Sequence, residues 1–404
     1  MGDQMTAQNF ISQKREGCKE IQKSPFLPPL TKGERSTHIQ NTYHRSHGIA
    51  SPFEKGGVRG ICSEAALTVL LLLCGPAAVA FAASGDNAFT PTNIFVPFST
   101  PAHAIYQNAS LVLTICAAIF LVVGGLLAYS IFRFRRRPEH ENLEPPQVYG
   151  SNQIELAWTV IPILIVIVIT LATTRTIYDV QGALPPPGTV NVTVVGHQWW
   201  WEIRYPDLGI VTANELHVPV TESGNRRPTY LKLESADVAH SFWVPQLAGK
   251  TDVIPNRRNL MWIEPTEPGT YVGNCAEYCG LQHARMLIRV IVHPPGDFEK
   301  WVAAQQAAPV DNPELQVGRD AFFSISCINC HVIKGTRANG QFGPDLTHLM
   351  SRETIGAGVV PNTAENLRAW VRDPQHIKPG ALMPNMQLTD GELNQMVAYL
   401  SSLR

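Results

Sequence analysis

At 404 residues, 45% hydrophobic and 16% charged, with a formal net charge of −1, the chain is long enough for two or three domains. Near-neutrality excludes a polyanionic partner such as nucleic acid, and the uneven distribution of apolar residues points to a membrane instead. Four of the eight cysteines stand in two tight clusters, Cys275 with Cys279 and Cys327 with Cys330, which favours metal or cofactor chemistry over a scattered disulfide framework.

Residues 1–60 are polar, rich in Pro and Gly, and carry two related pieces, SPFLPPLTKGERS from Ser24 and SPFEKGGVRG from Ser51. With no amphipathic period they read as disordered, or as an upstream extension absent from the mature protein. A signal peptide is expected at 61–82. AALTVLLLLCGPAAVAF, Ala65 to Phe81, follows Lys55 and Arg59 and runs into an A-x-A pattern at Ala80 to Ala82. Gly75-Pro76 shortens this run as a third membrane span, and bulky Leu73 precedes Cys74 where a lipid-attachment site wants a small residue.

Residues 83–175 hold two longer apolar runs, at about 111–132 and 154–174, each able to cross a hydrocarbon core that needs ~20 residues of helix. Arg133, Arg135, Arg136 and Arg137 follow the first run directly, which puts the connecting loop on the cytoplasmic side and both outer ends of the hairpin outside. Pro162 in the second run is tolerable in a membrane helix. From 176 to 297 the pattern changes to short β-type runs, TVNVTVVG, ELHVPV, TYLKLES, NLMWIEP, GTYVG and MLIRVIVH, which predict a β-sandwich or barrel. A linker at 298–313 containing AAQQAAPVDNP leads to a small helical domain at 314–404, bounded by PELQVGRDAFFSIS and TDGELNQMVAYLSSL.

The stretch CAEYCGLQHARM, Cys275 to Met286, places two thiols, an imidazole and a thioether on one loop between two expected strands. A disulfide loop and a zinc knuckle are the plainer readings. Thiolate with thioether selects copper or another soft metal, methionine is a poor zinc ligand, and two thiolates can bridge two ions. A second histidine is expected from another strand end, and His240 in DVAHSFWVP is placed for it.

This motif, C-x-E-x-C-x3-H-x2-M, together with His240, the membrane hairpin and GHQWWWEIRYP, resembles subunit II of the haem-copper cytochrome c oxidases over roughly residues 94–294. The resemblance implies a cupredoxin-like domain in which His240, Cys275, Cys279, His283 and Met286 hold a dinuclear copper centre, CuA, with Glu277 adding its backbone carbonyl. It also implies that the Glu277 side chain binds a magnesium or manganese ion shared with subunit I. In an extended strand Trp199 and Trp201 share one face and Trp200 the other. The resemblance makes Trp199 an exposed electron-input residue over the copper. Glu155 opens the second span, where a carboxylate suits the helix dipole; by resemblance of E-x2-W-T-x2-P it marks the mouth of a proton channel into subunit I.

The second cluster, CINCH, has the C-x-x-C-H spacing of covalent haem attachment: Cys327 and Cys330 add to the haem vinyl groups and His331 is the proximal ligand. A thioredoxin-like pair lacks its βαβ surroundings here. The context, with Gly318 and Phe322 before the motif, GPDL after it and Tyr399 on a closing helix, resembles an all-α class I cytochrome c. That resemblance makes the Pro344 carbonyl the partner that orients His331. A methionine on the other side raises the potential of an electron carrier. Of Met350, Met383, Met386 and Met396, the ALMPNM loop supplies the expected ligand, Met383, with Met386 as the alternative.

The expected protein is therefore a bacterial inner-membrane oxidase subunit II, two-span, with copper and cytochrome domains on the periplasmic side, one haem c and two coppers. Its expected partners are subunit I, subunit III and cytochrome c or another electron donor, with oxygen reduction and proton pumping in the catalytic subunit. The alternatives are the input subunit of a CuA-type nitric oxide reductase and an anchored copper-haem carrier.

Overall fold

The computed structural model describes residues 93–135, 147, 149–181, 189–222, 224, 226–309 and 312–404. The expected N-terminal extension at 1–60, the signal peptide at 61–82, and Arg136 and Arg137 lie outside the described residues.

Two long helices come first, α1 (Thr100–Arg133) and α2 (Asn152–Gln181). The 34 residues of α1 span about 50 Å at the helical rise, more than a ~30 Å hydrocarbon core requires. Phe120, Leu126 and Leu171 are exposed along their shafts, as residues facing lipid must be. Pro162 sits inside α2 without ending it. The helices run antiparallel, and Asn108 near the start of α1 donates to Thr173 Oγ1 near the end of α2 at 3.4 Å.

At the outer end of this hairpin stands the β-domain, and specific bonds stitch the two together. Buried Ser99, preceding α1, accepts from the Glu264 amide at 3.0 Å, and Thr100 Oγ1 donates to the Glu264 carboxylate at 2.6 Å. Arg226 closes the other side of that carboxylate with bonds of 2.7 and 2.8 Å. The Trp262 indole donates to the Val180 carbonyl at 2.7 Å, so α2 is anchored as well as α1.

The β-domain is a sandwich of two five-stranded sheets, ordered β3-β2-β1-β5-β8 and β4-β10-β9-β6-β7. The strands are β1 (Val190–His197), β2 (Trp200–Tyr205), β3 (Ile210–Ala213), β4 (Glu215–Pro219), β5 (Thr229–Ser235), β6 (His240–Trp243), β7 (Thr251–Val253), β8 (Asn259–Ile263), β9 (Gly269–Cys275) and β10 (Leu287–His293). Period-two alternation builds the core: Trp201, Ile203 and Tyr205 from β2 meet Leu231 and Leu233 from β5 and Ile288, Val290 and Val292 from β10. The Tyr205 hydroxyl donates to the His217 carbonyl and accepts from its amide, both at 2.8 Å, which satisfies a fully buried phenol.

The expected linker at 298–313 is mostly not a linker. Helix α3 (Asp297–Gln306) occupies it, with Asp297 and Glu299 in its first turn where the helix dipole favours acids. Its Trp301 ring stacks on His217 at 4.3 Å and Phe298 is buried, so apolar burial outweighs the loop-like composition of AAQQAAP.

The last domain packs α4 (Gln316–Ser324) across α7 (Asp390–Leu400), with α5 (Ala364–Arg372), α6 (Pro374–Ile377) and a short two-stranded ladder, β11 (Thr354–Ile355) with β12 (Val360–Pro361). A Cβ on Gly318 would stand 2.0 Å from the Gln395 carbonyl, so only glycine allows this crossing. Phe322 meets Tyr399 beneath it at 6.0 Å. A capping box between Thr389 and Glu392 starts α7.

Candidate functional site

The loop of residues 276–286 joins two adjacent antiparallel strands, and its base is closed by the Cys275 amide donating to the Met286 carbonyl at 2.9 Å. Strand β6 pairs with β9 so that Phe242 faces Cys275, and the Ala276 amide donates to the Ser241 carbonyl at 2.9 Å. That pairing delivers His240, the first residue of β6, to the loop.

The donor atoms converge. The Cys275 and Cys279 sulfurs stand 3.8 Å apart as free thiols, which removes the disulfide reading. His240 Nδ1 lies 3.8 Å from Cys275 Sγ and His283 Nδ1 3.7 Å from Cys279 Sγ. Met286 Sδ lies 3.9 Å from Cys279 Sγ, and the Glu277 carbonyl oxygen 3.2 Å from Cys275 Sγ. His240 and Met286 are wholly buried, while the Glu277 side chain is exposed on the outside of the loop. Two thiols with an imidazole at each end, a thioether and a carbonyl fit a pair of soft ions better than a tetrahedral zinc.

Electrostatics agree with that donor set. The neighbouring Cys279 thiol, and after it His240, holds the Cys275 thiol well below the usual range, while Cys275 pushes Cys279 up. A bound cation favours the thiolate form of both sulfurs and displaces their protons. Burial lowers the His240 pKa, but the Asp237 carboxylate, 2.8 Å from its Nε2, and the Cys275 sulfur together leave it raised. Asp237 accepts in addition from the Gln198 and Val238 amides at 2.6 Å each, so the imidazole is held with Nδ1 toward the sulfurs.

The three tryptophans part company. Strand β2 begins only at Trp200, so Trp199 lies in the turn after β1 and escapes the alternation expected for it. Trp201 fills the core, and Trp200 stacks on His197 at 4.3 Å. Trp199 is half-buried rather than exposed: its indole donates to the Cys279 carbonyl at 3.0 Å, and Gln198 Nε2 donates to the same oxygen at 2.7 Å. Gly280, at φ +115°, leaves the room for that ring; a Cβ there would meet Trp199 and Gln198 at 3.1 Å.

A cavity of about 480 Å³ opens in the last domain, within the usual range of cofactor pockets. Cys327, Cys330, His331, Met383 and Met386 line it together with apolar Phe322, Leu367, Val371 and Leu400. His331 Nδ1 lies 2.7 Å from the Pro344 carbonyl, so this nitrogen carries the proton and Nε2 is left as the free ligand atom. A large apolar hole bordered by two thiols, one oriented imidazole and two thioethers fits a covalently held haem. Met396 also lines the cavity from the core face of α7, whereas Met350 does not.

The cavity has a wall from the other domain: Gln198, Trp199, Trp200 and Asn214 border it too. Around it the domains are bonded. Buried Glu215 accepts from the amides of Glu353 at 3.0 Å and Thr354 at 2.9 Å and from Thr354 Oγ1 at 3.0 Å; burial nonetheless leaves its pKa raised. The Leu287 amide donates to the Ala357 carbonyl at 3.2 Å, and Arg289 pairs with Glu353. Sequence reasoning missed this seam; a lone glutamate in the apolar strand ELHVPV was the one signal for it. Glu155 lies at the other end of the hairpin, exposed in the first turn of α2, and is not part of either site.

A membrane-anchored copper-and-haem electron-transfer protein is the class these sites define. The family described as "Cytochrome C oxidase subunit II, transmembrane domain" matches residues 93–175, "Cytochrome C oxidase subunit II, periplasmic domain" matches 214–292, and "Cytochrome c" matches 316–404. Cytochrome c oxidase subunit 2 of Alkalihalophilus pseudofirmus is 35% identical over 315 residues, covering 76% of this chain and 90% of the relative. That of Bacillus sp. strain PS3 is 37% identical over 290 residues, covering 67% and 80%. Among solved structures, the periplasmic domain of subunit II of cytochrome oxidase of Bradyrhizobium japonicum is 29% identical, covering 30% of this chain and 97% of that one with a TM-score of 0.28. The chain belongs to the cytochrome c oxidase subunit 2 family and carries a C-terminal cytochrome c domain. These relatives favour the oxidase over the nitric oxide reductase alternative.

Proposed function

We propose that this chain is the electron-input subunit of a haem-copper oxidase, with both redox sites on the periplasmic side of a bacterial inner membrane. When bound, one haem c and a pair of coppers supply the one-electron chemistry through which a donor such as cytochrome c feeds the oxygen-reducing subunit I. His240, Cys275, Cys279, His283, Met286 and the Glu277 carbonyl hold the copper pair; Cys327, Cys330, His331 and Met383 hold the haem. The observation that carries this reading is the convergence of two thiols, two imidazoles, a thioether and a carbonyl, each within 3.9 Å of a neighbouring donor.

The remaining roles follow from position. The Glu277 carboxylate is exposed while its carbonyl turns toward Cys275, so one residue can serve the copper and a magnesium or manganese ion at a contact with subunit I. Glu155, at the opposite end of the hairpin, takes the proton-channel mouth. Trp199 receives from the fused haem domain rather than from solution, because it stands between the Cys279 carbonyl and the haem cavity. Subunit III is a further expected partner in the membrane.

Metal analysis and spectroscopy of the purified full-length chain test this. Two coppers with a mixed-valence spin-resonance signal and one covalently bound haem are expected; a haem without two coppers would defeat the reading. Met383→Leu is expected to abolish the methionine-ligated haem spectrum and Met386→Leu to preserve it.

A further inference from the structure

Two cations are buried beside the haem cavity, Arg352 and Lys378, and Lys378 is the one that bonds the copper loop. Lys378 follows α6 in the haem domain and is only 3% exposed. Its Nζ donates to the Trp199 carbonyl at 2.8 Å, the Arg285 carbonyl at 2.8 Å and the Gly356 carbonyl at 2.9 Å. An ammonium has three N–H groups, and all three are used here, two on the copper domain and one on its own. Both copper-domain acceptors belong to segments that touch the donor cluster. Trp199 bonds the Cys279 carbonyl, and Arg285 directly precedes Met286. Lys378 also lines the haem cavity beside Gln198 and Trp199.

Burying a cation is costly unless its donors are matched, so such a residue is tolerated only where the acceptors are already in place. Burial lowers the Lys378 pKa to about 7, with Cys279 opposing that and Arg285 adding to it. Further bonds close the flanks: Gln282 Nε2 donates to the Pro379 carbonyl, the Arg285 guanidinium Nη1 to the Ile377 carbonyl at 2.7 Å, and the Leu287 amide to the Ala357 carbonyl at 3.2 Å. Residues 377–379 are therefore gripped by the copper loop on both sides of the lysine.

We propose that Lys378 is a positioning residue that locks the haem cavity against Trp199 and the copper loop, so that the two redox sites face each other across a fixed seam instead of meeting by diffusion on a tether. This rests on the assignment of the two sites above and adds the residue that sets their relation. The short stretch after α3 then serves as connection only, and the seam does the docking.

The test uses the full-length subunit in its oxidase, with a protease site inserted in the segment 307–312. In the wild type, cleavage is expected to leave the haem domain bound to the membrane fraction and the haem-to-copper transfer rate after flash reduction unchanged. In Lys378→Met the cleaved haem domain is expected to be released. Transfer in the uncut variant is expected to slow roughly ten- to a hundredfold, the scale of losing a buried charged contact. The haem absorption and copper spin-resonance spectra should stay as in the wild type, which a merely unfolded domain would not allow. Should Lys378→Met fail to accumulate, Lys378→Gln provides the same comparison, since it loses the charge and one donor at similar length. Retention of the cleaved domain at wild-type transfer rate in either variant overturns the proposal, as does release of the wild-type domain on cleavage. A wild type with neither haem c nor copper signals would instead sink the functional assignment itself.

Discussion

The proposed copper site and the proposed haem site are built in opposite ways. In the copper domain each donor atom is brought to within 3.9 Å of a neighbouring donor by the β9 loop and its pairing with β6, beneath a core filled by Trp201, Phe242 and Ile288. In the haem domain the donors surround a hole of about 480 Å³ that short helices cannot close by themselves. The ladder between β6 and β9 sets one group of donors by backbone pairing, whereas the other group lines a cavity whose packing is completed by its occupant.

The largest expected effect comes from emptying the void. Replacing both Cys327 and Cys330 with serine removes covalent attachment, and losing the group that packs against Phe322, Leu367 and Leu400 should cost the haem domain more than about 5 kcal/mol, most of the stability of a small domain. Hydrogen exchange should show residues 314–404 losing protection while the β-sandwich keeps it; equal loss in both domains would break the contrast.

A smaller effect is expected from the other side. Trp201→Ala opens the sandwich core at a wholly buried position and should cost about 3–5 kcal/mol in chemical denaturation of the β-domain. The haem absorption spectrum should be unaltered, because Trp201 does not border the cavity.

Acid supplies the third comparison. Burial, with His293 and Arg352 adding to it, pulls the pKa of His217 down to about 3. An unfolded histidine titrates near 6.5, so between those values the unfolded chain binds the extra proton and stability rises with pH. The β-domain should therefore lose stability as pH falls from about 6.5 toward 3, by up to about 1.4 kcal/mol per unit. Denaturant midpoints measured at several pH values should flatten in His217→Gln; an unchanged slope would remove His217 as the cause.

Much of the geometry of the proposed copper site was legible because most of its donors sit on one loop of fixed spacing, and a strand end was the natural source of the second imidazole. The cavity edge at CINCH was legible for the same reason, since the two thiols and the imidazole proposed to hold the haem are adjacent in sequence. Trp199 was harder. Alternation placed it on a strand face, but the strand starts one residue later, and its surroundings are set by Cys279 from 80 residues away. The stretch AAQQAAP resembled a tether because alanine and glutamine carry no strong period; Trp301 and Phe298 turned its beginning into a packed helix.

By itself the sequence determined the order of parts: two apolar helices, a run of short strands, a soft-donor loop and a haem-attachment motif, all encoded in local spacing and periodicity. Only the tertiary structure decided how the two redox sites meet. Lys378, Glu215 and Thr354 are unremarkable where they stand in the chain, and their meaning lies in carbonyls and amides up to 179 residues distant. A buried ammonium or carboxylate gains nothing from its neighbours in sequence. It is stabilised only where the fold has already aimed the matching groups at it.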